Sequence, residues 1–504
     1  MGGSCLIARV LVLVTSARAL SMPSTALPFG ANQSNVRATA GTTTTSTSGL
    51  ATLQRVAVVG GGPAGALMTL YLSQIGGFEV DLFEASEESE VARATSRSWN
   101  VILFDRGCDA LERGGFDLLK EAGDLVVTVT GSVRHNAKKK LGVGLALGTK
   151  SIGRGDLAGA LLTKARGSPN VNVHFGCMFS TMDTQKRVAK FERGDGNVLE
   201  TSFDMLVGAD GVNSRVRQAL QDHKPGFTVR EREGPKAFKT IRVPIMQMED
   251  AEETWKSCAH TSNSKKGLVV GSPRSDGVVT ASVILPKESK KTFETLMKTT
   301  EDVRNYFGSN HPGLFGPNGP SEEVAKDFLQ RRPRRLRTIY CSQLAVGSVV
   351  LIGDAAHAME ASLGQGVNSA LEDCQVLAHA LTAGTESTGA ARVCDIPRAL
   401  EAFNKLRLGD AHAVCEVSEI GAALTARKTL AAQFIHTSLL NKTLGRLAPK
   451  VFPPPSLFTV NEENKRYGAI LRGIKREATV AKWMTVASIA LILGGLAART
   501  IRRM

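Results

Sequence analysis

Short apolar runs that end in a glycine-rich turn recur along the middle of the chain. Three of them lie in Arg55–Val59, Met205–Val207 and Val349–Ile352. A continuous apolar run of this length predicts a strand buried on both faces of a parallel sheet. Ala66–Ile75 is predicted to be a helix, and Glu79–Glu84 to be a second strand. The order strand, helix, strand predicts an α/β fold.

The turn after the first run has the spacing G-x-G-x-x-G. Its residues predicted to approach a ligand are Gly60, Gly62, Ala64 and Gly65. Glycine is required where the backbone turns tightly and where a pyrophosphate approaches the start of a helix. Glu84, followed by Ala85, comes close to the ~20 residues after this turn that place an acid on a ribose hydroxyl. These features predict an adenine-dinucleotide site, without separating FAD from NAD.

Two later turns place an acid beside a glycine. Asp210 and Gly211 lead into a basic helix, and Gly353 and Asp354 follow the third apolar run. A further helix is predicted to begin within the segment that contains Gly364, Gly366, Val367 and Asn368. The first N–H groups of a helix have no partner within it and favour negative charge, so this segment suits a ligand that becomes anionic.

The two ends of the chain differ from the middle. No acid precedes Glu79, and a hydroxyl-rich stretch runs from Thr42 to Ser48, which is typical of an organellar targeting leader. An ordinary disordered N-terminus is the alternative. Near the C-terminus an apolar segment is followed by Arg499, Arg502 and Arg503. With residues from Val480 onward it is long enough to span a bilayer, so we predict a single membrane anchor, with a buried helix as the alternative.

Composition narrows the class of protein. Hydrophobic residues make up 42% and charged residues 22% of the 504-residue chain, as in soluble globular proteins. The eight cysteines include no C-x-x-C pair, so no metal site is predicted. Lys and Arg exceed Asp and Glu by 62 to 47, but only 5% of residues are aromatic and none interleaves the basic runs. Nucleic acid is therefore not an expected partner.

The three glycine-bearing turns, in this order, resemble those of the FAD-dependent aromatic hydroxylases, the single-component flavoprotein monooxygenases. The resemblance implies an FAD-binding Rossmann-like domain with a parallel sheet, interrupted by a substrate domain built on an antiparallel sheet. The expected segments are a targeting leader at 1–53, an FAD-binding domain at 54–225 and again at 341–430, a mostly substrate-binding domain at 226–340, a C-terminal helical region at 431–479 and a membrane anchor at 480–500.

The resemblance also implies a reaction. NADPH or NADH reduces FAD, O2 adds at C4a of the flavin, and the hydroperoxide oxygenates an aromatic or unsaturated small molecule. Arg154 resembles the arginine placed over FAD, and Arg97 is expected to hold flavin or NADPH. Gly364, Gly366 and Asn368 are expected to line the oxygen side. No side chain is assigned as catalytic, because the cofactor carries the chemistry.

Within the family the closest resemblance is to the kynurenine 3-monooxygenases, through segments such as Arg97–Asn100 and Glu372–Cys374. Those enzymes carry a C-terminal anchor in the mitochondrial outer membrane, whereas the leader here suggests a plastid. Their substrate-binding arginine and tyrosine are absent: Ser132, with Arg134 two residues further on, Leu147 and Gly421 stand at the matching places.

The substrate therefore stays open at this stage. Arg134 is the candidate that could replace the missing arginine after a shift in register. Two alternatives remain: a plastid flavoenzyme that epoxidises or reduces an isoprenoid, and a non-catalytic escort protein with an FAD fold. The basic run Arg331–Arg337 is either a solvated face or an anion site.

Overall fold

The computed structural model describes residues 53–89, 99–135, 141–143, 149–249, 251–285, 293–388, 391–426, 455–462 and 464–480. Several predictions fall outside these ranges. They are nearly all of the leader at 1–53 and the anchor at 480–500, and the site candidates Arg97 and Leu147. No helix in the described part of the chain is long and apolar enough to cross a membrane.

A six-stranded sheet forms the FAD-binding part. Its strands in spatial order are β18 (Ala345–Val346), β19 (Val349–Leu351), β12 (Met205–Gly208), β1 (Gln54–Val59), β2 (Phe78–Phe83) and β8 (Val171–His174). All neighbours are parallel except β18 and β19 at one edge. Val58, Leu206 and Val207 are fully buried, as expected of strands covered on both faces. The predicted parallel sheet is confirmed.

Helices cover this sheet. They are α1 (Pro63–Ile75), α2 (Asp105–Arg113), α3 (Leu118–Ala122), α4 (Arg154–Arg166), α5 (Arg215–His223), α10 (Asp354–His357), α11 (Gln365–Ala383) and α12 (Ile396–Ala426). Three small sheets flank the layer. They consist of β3 (Asn100–Leu103) with β7 (Lys150–Gly153) and β4 (Val127–Thr128), of β9 (Cys177–Asp183), β10 (Val188–Arg193) and β11 (Val198–Ser202), and of β20 (Thr385–Thr388) and β21 (Ala391–Cys394).

A seven-stranded sheet forms the second domain. Its spatial order is β17 (Arg334–Cys341), β13 (Val229–Pro244), β16 (Val278–Ile284), β15 (Leu268–Pro273), β14 (Cys258–Asn263), β5 (Gly131–His135) and β6 (Leu141–Val143). Its pairs are antiparallel except β14 with β5. Because β5 and β6 precede residue 226, the second domain also takes strands from the segment 54–225, which the sequence analysis had assigned to the FAD-binding domain alone.

One face of this second sheet is covered by helices. They are α6 (Phe293–Leu296), α7 (Thr300–Asn310), α8 (Pro312–Phe315) and α9 (Glu322–Gln330). Phe307 and Phe328 pack there against Ile241 and Val283 in a core separate from that of the first sheet. Side chains alternate along a strand, so the residues between these core positions point to the opposite face, which is called the helix-free face because α6–α9 do not cover it.

The C-terminal region returns to the FAD-binding part. After the short turn Ser456–Thr459, a helix over 467–480, labelled α13, packs against the start of α11. Leu457, Val460, Tyr467 and Ile470 form a small core with residues of α12.

His311, at the end of α7, should make stability depend on pH. Its ring is 1% exposed, Nδ1 lies 2.9 Å from the Ser262 hydroxyl, and Nε2 has no hydrogen-bond partner. Burial lowers the pKa of His311 to about 4, whereas an unfolded histidine titrates near 6.5. Between these values the unfolded chain binds more protons. Stability is therefore expected to fall on acidification by about 1.4 kcal/mol per pH unit, or about 2 kcal/mol at pH 5.

Urea unfolding at several pH values measures this slope. His311→Gln is expected to remove that part of the slope, whereas His223→Gln, at an exposed histidine of α5, is expected to keep it. Equal slopes for His311→Gln and the parent protein would contradict the assignment.

Candidate functional site

The glycine-bearing turns meet at one edge of the first sheet. Gly60 follows β1, Glu84 follows β2, Gly211 comes after β12 and Gly353 after β19. These four strands are adjacent and parallel, so their carboxyl ends lie side by side. Segments far apart in sequence therefore build one site.

Two glycines of the first turn are required by the protein itself. Gly60 has φ of 104°, and a Cβ there would lie 2.6 Å from the carbonyl oxygen of Ala209. A Cβ on Gly65 would lie 1.9 Å from the carbonyl oxygen of Gly60. Both positions bring backbone into contact with backbone, which leaves no room for a side chain.

Gly62 is different. Its φ of −68° and ψ of 177° are open to other residues, and among the described residues only Arg154 Nη2 comes within 4 Å of a built Cβ, at 3.6 Å. Gly62 caps α1, whose first N–H groups have no partner within the helix. The open space, the free donors and the Arg154 guanidinium together suit a diphosphate.

Glu84 and Asp210 close the two sides of this space. Glu84 accepts hydrogen bonds from the backbone N–H groups of Gly61 at 2.7 Å and Ser86 at 2.9 Å. Asp210 Oδ2 accepts from the N–H groups of Arg215 and Val216, while its buried Oδ1 has no partner within the described ranges. Burial raises the pKa of Asp210. An unsatisfied buried carboxylate oxygen suits a hydroxyl donor from a ligand such as the ribityl or ribose chain of FAD.

The third turn lies beside the first. A Cβ built on Gly353, which has φ of 60°, would be 3.4 Å from the Cβ of Ala64. Asp354 is exposed at the first position of α10. Cys374 of α11 donates to the Ala64 carbonyl, so α11 holds both turns together. The predicted residues Ala85 and Gly211 lie at the rim, Ala85 exposed and Gly211 with no atom within 4 Å of a built Cβ.

The start of α11 also lies at this edge. Gly364 caps it with φ of 67°, and a Cβ on Gly366 would meet nothing within 4 Å. Val367 is half-buried. Asn368, expected on the oxygen side, is instead fully buried: its amide accepts from the N–H of Phe104 and donates to the carbonyls of Ile102 and Gly364. Asn368 thus fixes the β3–α2 turn against α11.

Two of the substrate candidates fall in different places. Arg134 lies with Ser132 on the helix-free face of β5, and its buried Nε has no hydrogen-bond partner in the described part of the chain. The successive cross-strand partners of Arg134 on the same face are also half-buried: Thr261, Val270, Ser282 and Thr240. Gly421 is buried in α12, where a Cβ would lie 2.8 Å from Leu363 Cγ and from Ser362 Oγ. Gly421 therefore lets α12 approach the loop before α11.

A buried ionic network behind the third turn was not expected from the sequence. Asp373 accepts from the Gly353 N–H at 2.7 Å, from His357 at 2.6 Å and from Arg407 at 2.6 Å. Burial alone raises the pKa of Asp373, but His357 and Arg407 outweigh it, so that pKa lies below its ordinary value. Glu372 bridges Arg407 to Arg106. No periodicity in the sequence indicates which acidic and basic residues of separate helices will pair.

Trp99 joins the two domains. Arg154 lies 5.2 Å and Arg334 5.1 Å from its ring centroid. Other arginines of the basic run are neutralised, with Arg331 paired to Asp327 and Arg337 to Glu231. Most of the run is therefore a solvated, ion-paired face, and Arg334 is the member placed near the site.

Comparison with known proteins agrees with this geometry. Residues 54–396 match the family described as FAD binding domain. The kynurenine 3-monooxygenase of Legionella pneumophila (strain Lens) is 30% identical over 335 residues, covering 64% of this chain and 72% of the relative. That of Sus scrofa is 28% identical over 425 residues, covering 83% and 86%. The solved tetrameric form of 2-methyl-3-hydroxypyridine-5-carboxylic acid oxygenase shares the fold, with a TM-score of 0.57 at 22% identity, covering 74% of this chain and 91% of that one.

Proposed function

This chain belongs to the FAD binding domain family and is an FAD-dependent monooxygenase, and from that premise we propose that it oxygenates a small aromatic molecule that carries a carboxylate. The observation that carries the proposal is Arg134, on the helix-free face of the second sheet, whose buried Nε donor has no partner among the described residues. Kynurenine, which the relatives' names include, is an aromatic amino acid and the first candidate.

The side chains have binding roles rather than chemical ones. FAD, when bound, supplies the redox chemistry, taking electrons from NADPH or NADH and reacting with O2. The start of α1 and Arg154 would hold its diphosphate, while Asp210 and Asp354 would accept hydrogen bonds from its hydroxyl groups.

Arg134 can recognise a carboxylate because of its position. Ser132, at the place where the relatives' arginine is expected, lies on the same face of β5, so a shift of two residues keeps the guanidinium on the same side of the sheet. A buried guanidinium donor without a partner is costly, and a carboxylate satisfies it with charge-assisted hydrogen bonds.

NADPH or NADH is proposed as the electron donor. Arg154 and Arg334 approach one Trp99 ring at the domain boundary. Two guanidinium groups beside an aromatic plane suit the phosphates of a nicotinamide dinucleotide.

The test uses the full chain, loaded with FAD and mixed with air and either NADPH or NADH, with and without L-kynurenine. We expect kynurenine to stimulate the oxidation of NADPH or NADH and to be converted to a hydroxylated product. Arg134→Met is expected to raise the KM for kynurenine about a hundredfold, the value of a charge-assisted hydrogen bond. Arg335→Met, at a half-exposed arginine of β17 paired with Glu233, is expected to leave this KM unchanged.

Two results would overturn the proposal. An FAD-loaded protein that ignores kynurenine and other aromatic acids would shift the substrate to an apolar isoprenoid. A folded protein that binds no FAD would favour the non-catalytic escort role.

A further inference from the structure

The last described helix begins on a tyrosine that contacts the start of α11. Tyr467 is fully buried, and its hydroxyl donates to Gln365 Oε1 at 2.8 Å. The Gln365 amide in turn donates to Asn461 Oδ1 at 2.8 Å and to the Leu363 carbonyl at 3.2 Å. Two side chains of the C-terminal segment 455–480 thus hold the first residue of α11 and, through it, the loop before it.

Charged side chains of α2 and α12 also bind this segment. Arg106 of α2 lies 4.3 Å from the centroid of the Tyr467 ring, forms an ion pair with Glu372 and donates to the Glu462 carbonyl at 2.8 Å. Asp410 of α12 accepts from the N–H of Gly468 at 2.9 Å. The segment 455–480 is therefore bonded to α2, α11 and α12 around one point.

Two glycines weaken the backbone restraint at the start of α11. Gly364 and Gly366 flank Gln365, and glycine restricts the backbone least of all residues. Neither glycine has a side chain to pack, and the Gly366 side is open. We propose that Tyr467 is a positioning residue, which orients the first N–H groups of α11 toward the flavin through Gln365.

This inference rests on the proposed function and on the expectation, implied by the family resemblance, that Gly364 and Gly366 line the oxygen side of the flavin. N–H groups at the start of a helix stabilise negative charge, and a reduced flavin carries more of it than an oxidised one. Loosening the start of α11 should therefore lower the midpoint potential of bound FAD. A tenfold loss in the stabilisation of the reduced form corresponds to about 30 mV for a two-electron couple.

Tyr467→Phe removes one hydroxyl and keeps the ring that contacts Arg106 and Arg407. In the full-length apoprotein, hydrogen exchange at the amides of Asn368, Ser369 and Ala370, the first with acceptors inside α11, is expected to accelerate about fivefold, the value of one buried hydrogen bond. In the FAD-loaded protein, the midpoint potential is expected to fall by about 30 mV. Asn461→Ala, which removes the other partner of Gln365, is expected to shift both readouts in the same direction.

Tyr306→Phe is the matched control. Tyr306 is also buried and donates to a backbone carbonyl, that of Lys266, at 3.0 Å, but it belongs to the second domain. It should leave both the exchange at α11 and the potential unchanged.

Unchanged exchange and potential in folded Tyr467→Phe and Asn461→Ala would overturn the inference and leave Tyr467 a purely structural residue. A parent protein that binds no FAD would instead contradict the proposed function, while the exchange experiment would still report on Tyr467.

Discussion

Replacement of Gly62 by valine is expected to lower the affinity for FAD about a hundredfold and to leave the apoprotein folded. The backbone at Gly62 is extended, as any residue before a proline prefers, so valine fits the conformation. Its methyl groups would enter the open space at the start of α1, where the diphosphate is to approach, and overlap of this kind costs about 1–3 kcal/mol.

Flavin-fluorescence titration of the apoprotein measures this affinity, and urea unfolding checks the fold. Gly159→Ala is the control, because a Cβ at Gly159 in α4 also meets nothing within 4 Å but lies outside the site. Alanine in a helix interior should leave FAD affinity unchanged and stabilise the apoprotein by up to about 1 kcal/mol. Unaltered FAD affinity in Gly62→Val would mean that the dinucleotide does not lie over α1.

Arg407→Met should destabilise the apoprotein by about 3–5 kcal/mol, since it leaves buried carboxylates without their cation. Arg407 is 1% exposed and donates to Asp373, Glu372 and the Ser369 carbonyl. Asp373 also holds the N–H of Gly353, so the third turn of the site should loosen at the same time.

The loss of stability is measured as a shift in the urea midpoint of the apoprotein, with an unchanged dependence of the unfolding free energy on urea concentration. Lys405→Met is the control on the same helix, because Lys405 pairs with Glu401 on the exposed surface and should shift the midpoint negligibly. Adding Asp373→Asn to Arg407→Met should recover part of the loss, because it removes one orphaned charge. A loss below about 1 kcal/mol for Arg407→Met would show that the network contributes little.

Local patterns were enough to predict the first sheet and the turns at its edge. The apolar runs form β1, β12 and β19, and the G-x-G-x-x-G turn lies between β1 and α1. Both signals are short-range: a strand covered on both faces must be apolar throughout, and a tight turn or a close backbone contact must use glycine.

The role of individual polar side chains was less predictable. Asn368 belongs to a predicted glycine-rich segment, yet its amide binds backbone groups of β3 and α11 rather than facing open space. The direction of this side chain depends on a strand more than 200 residues away in the sequence.

The sequence by itself determined the α/β fold class, the glycine-bearing turns of an adenine-dinucleotide site and the family, because each motif is a short run of neighbouring residues. Only the tertiary structure decided that β5 joins the second sheet with Arg134 on its helix-free face. It also decided that Asp373 meets Arg407 and that Tyr467 meets Gln365. These contacts join distant segments through single polar side chains, and such pairs leave no periodicity or spacing in the sequence.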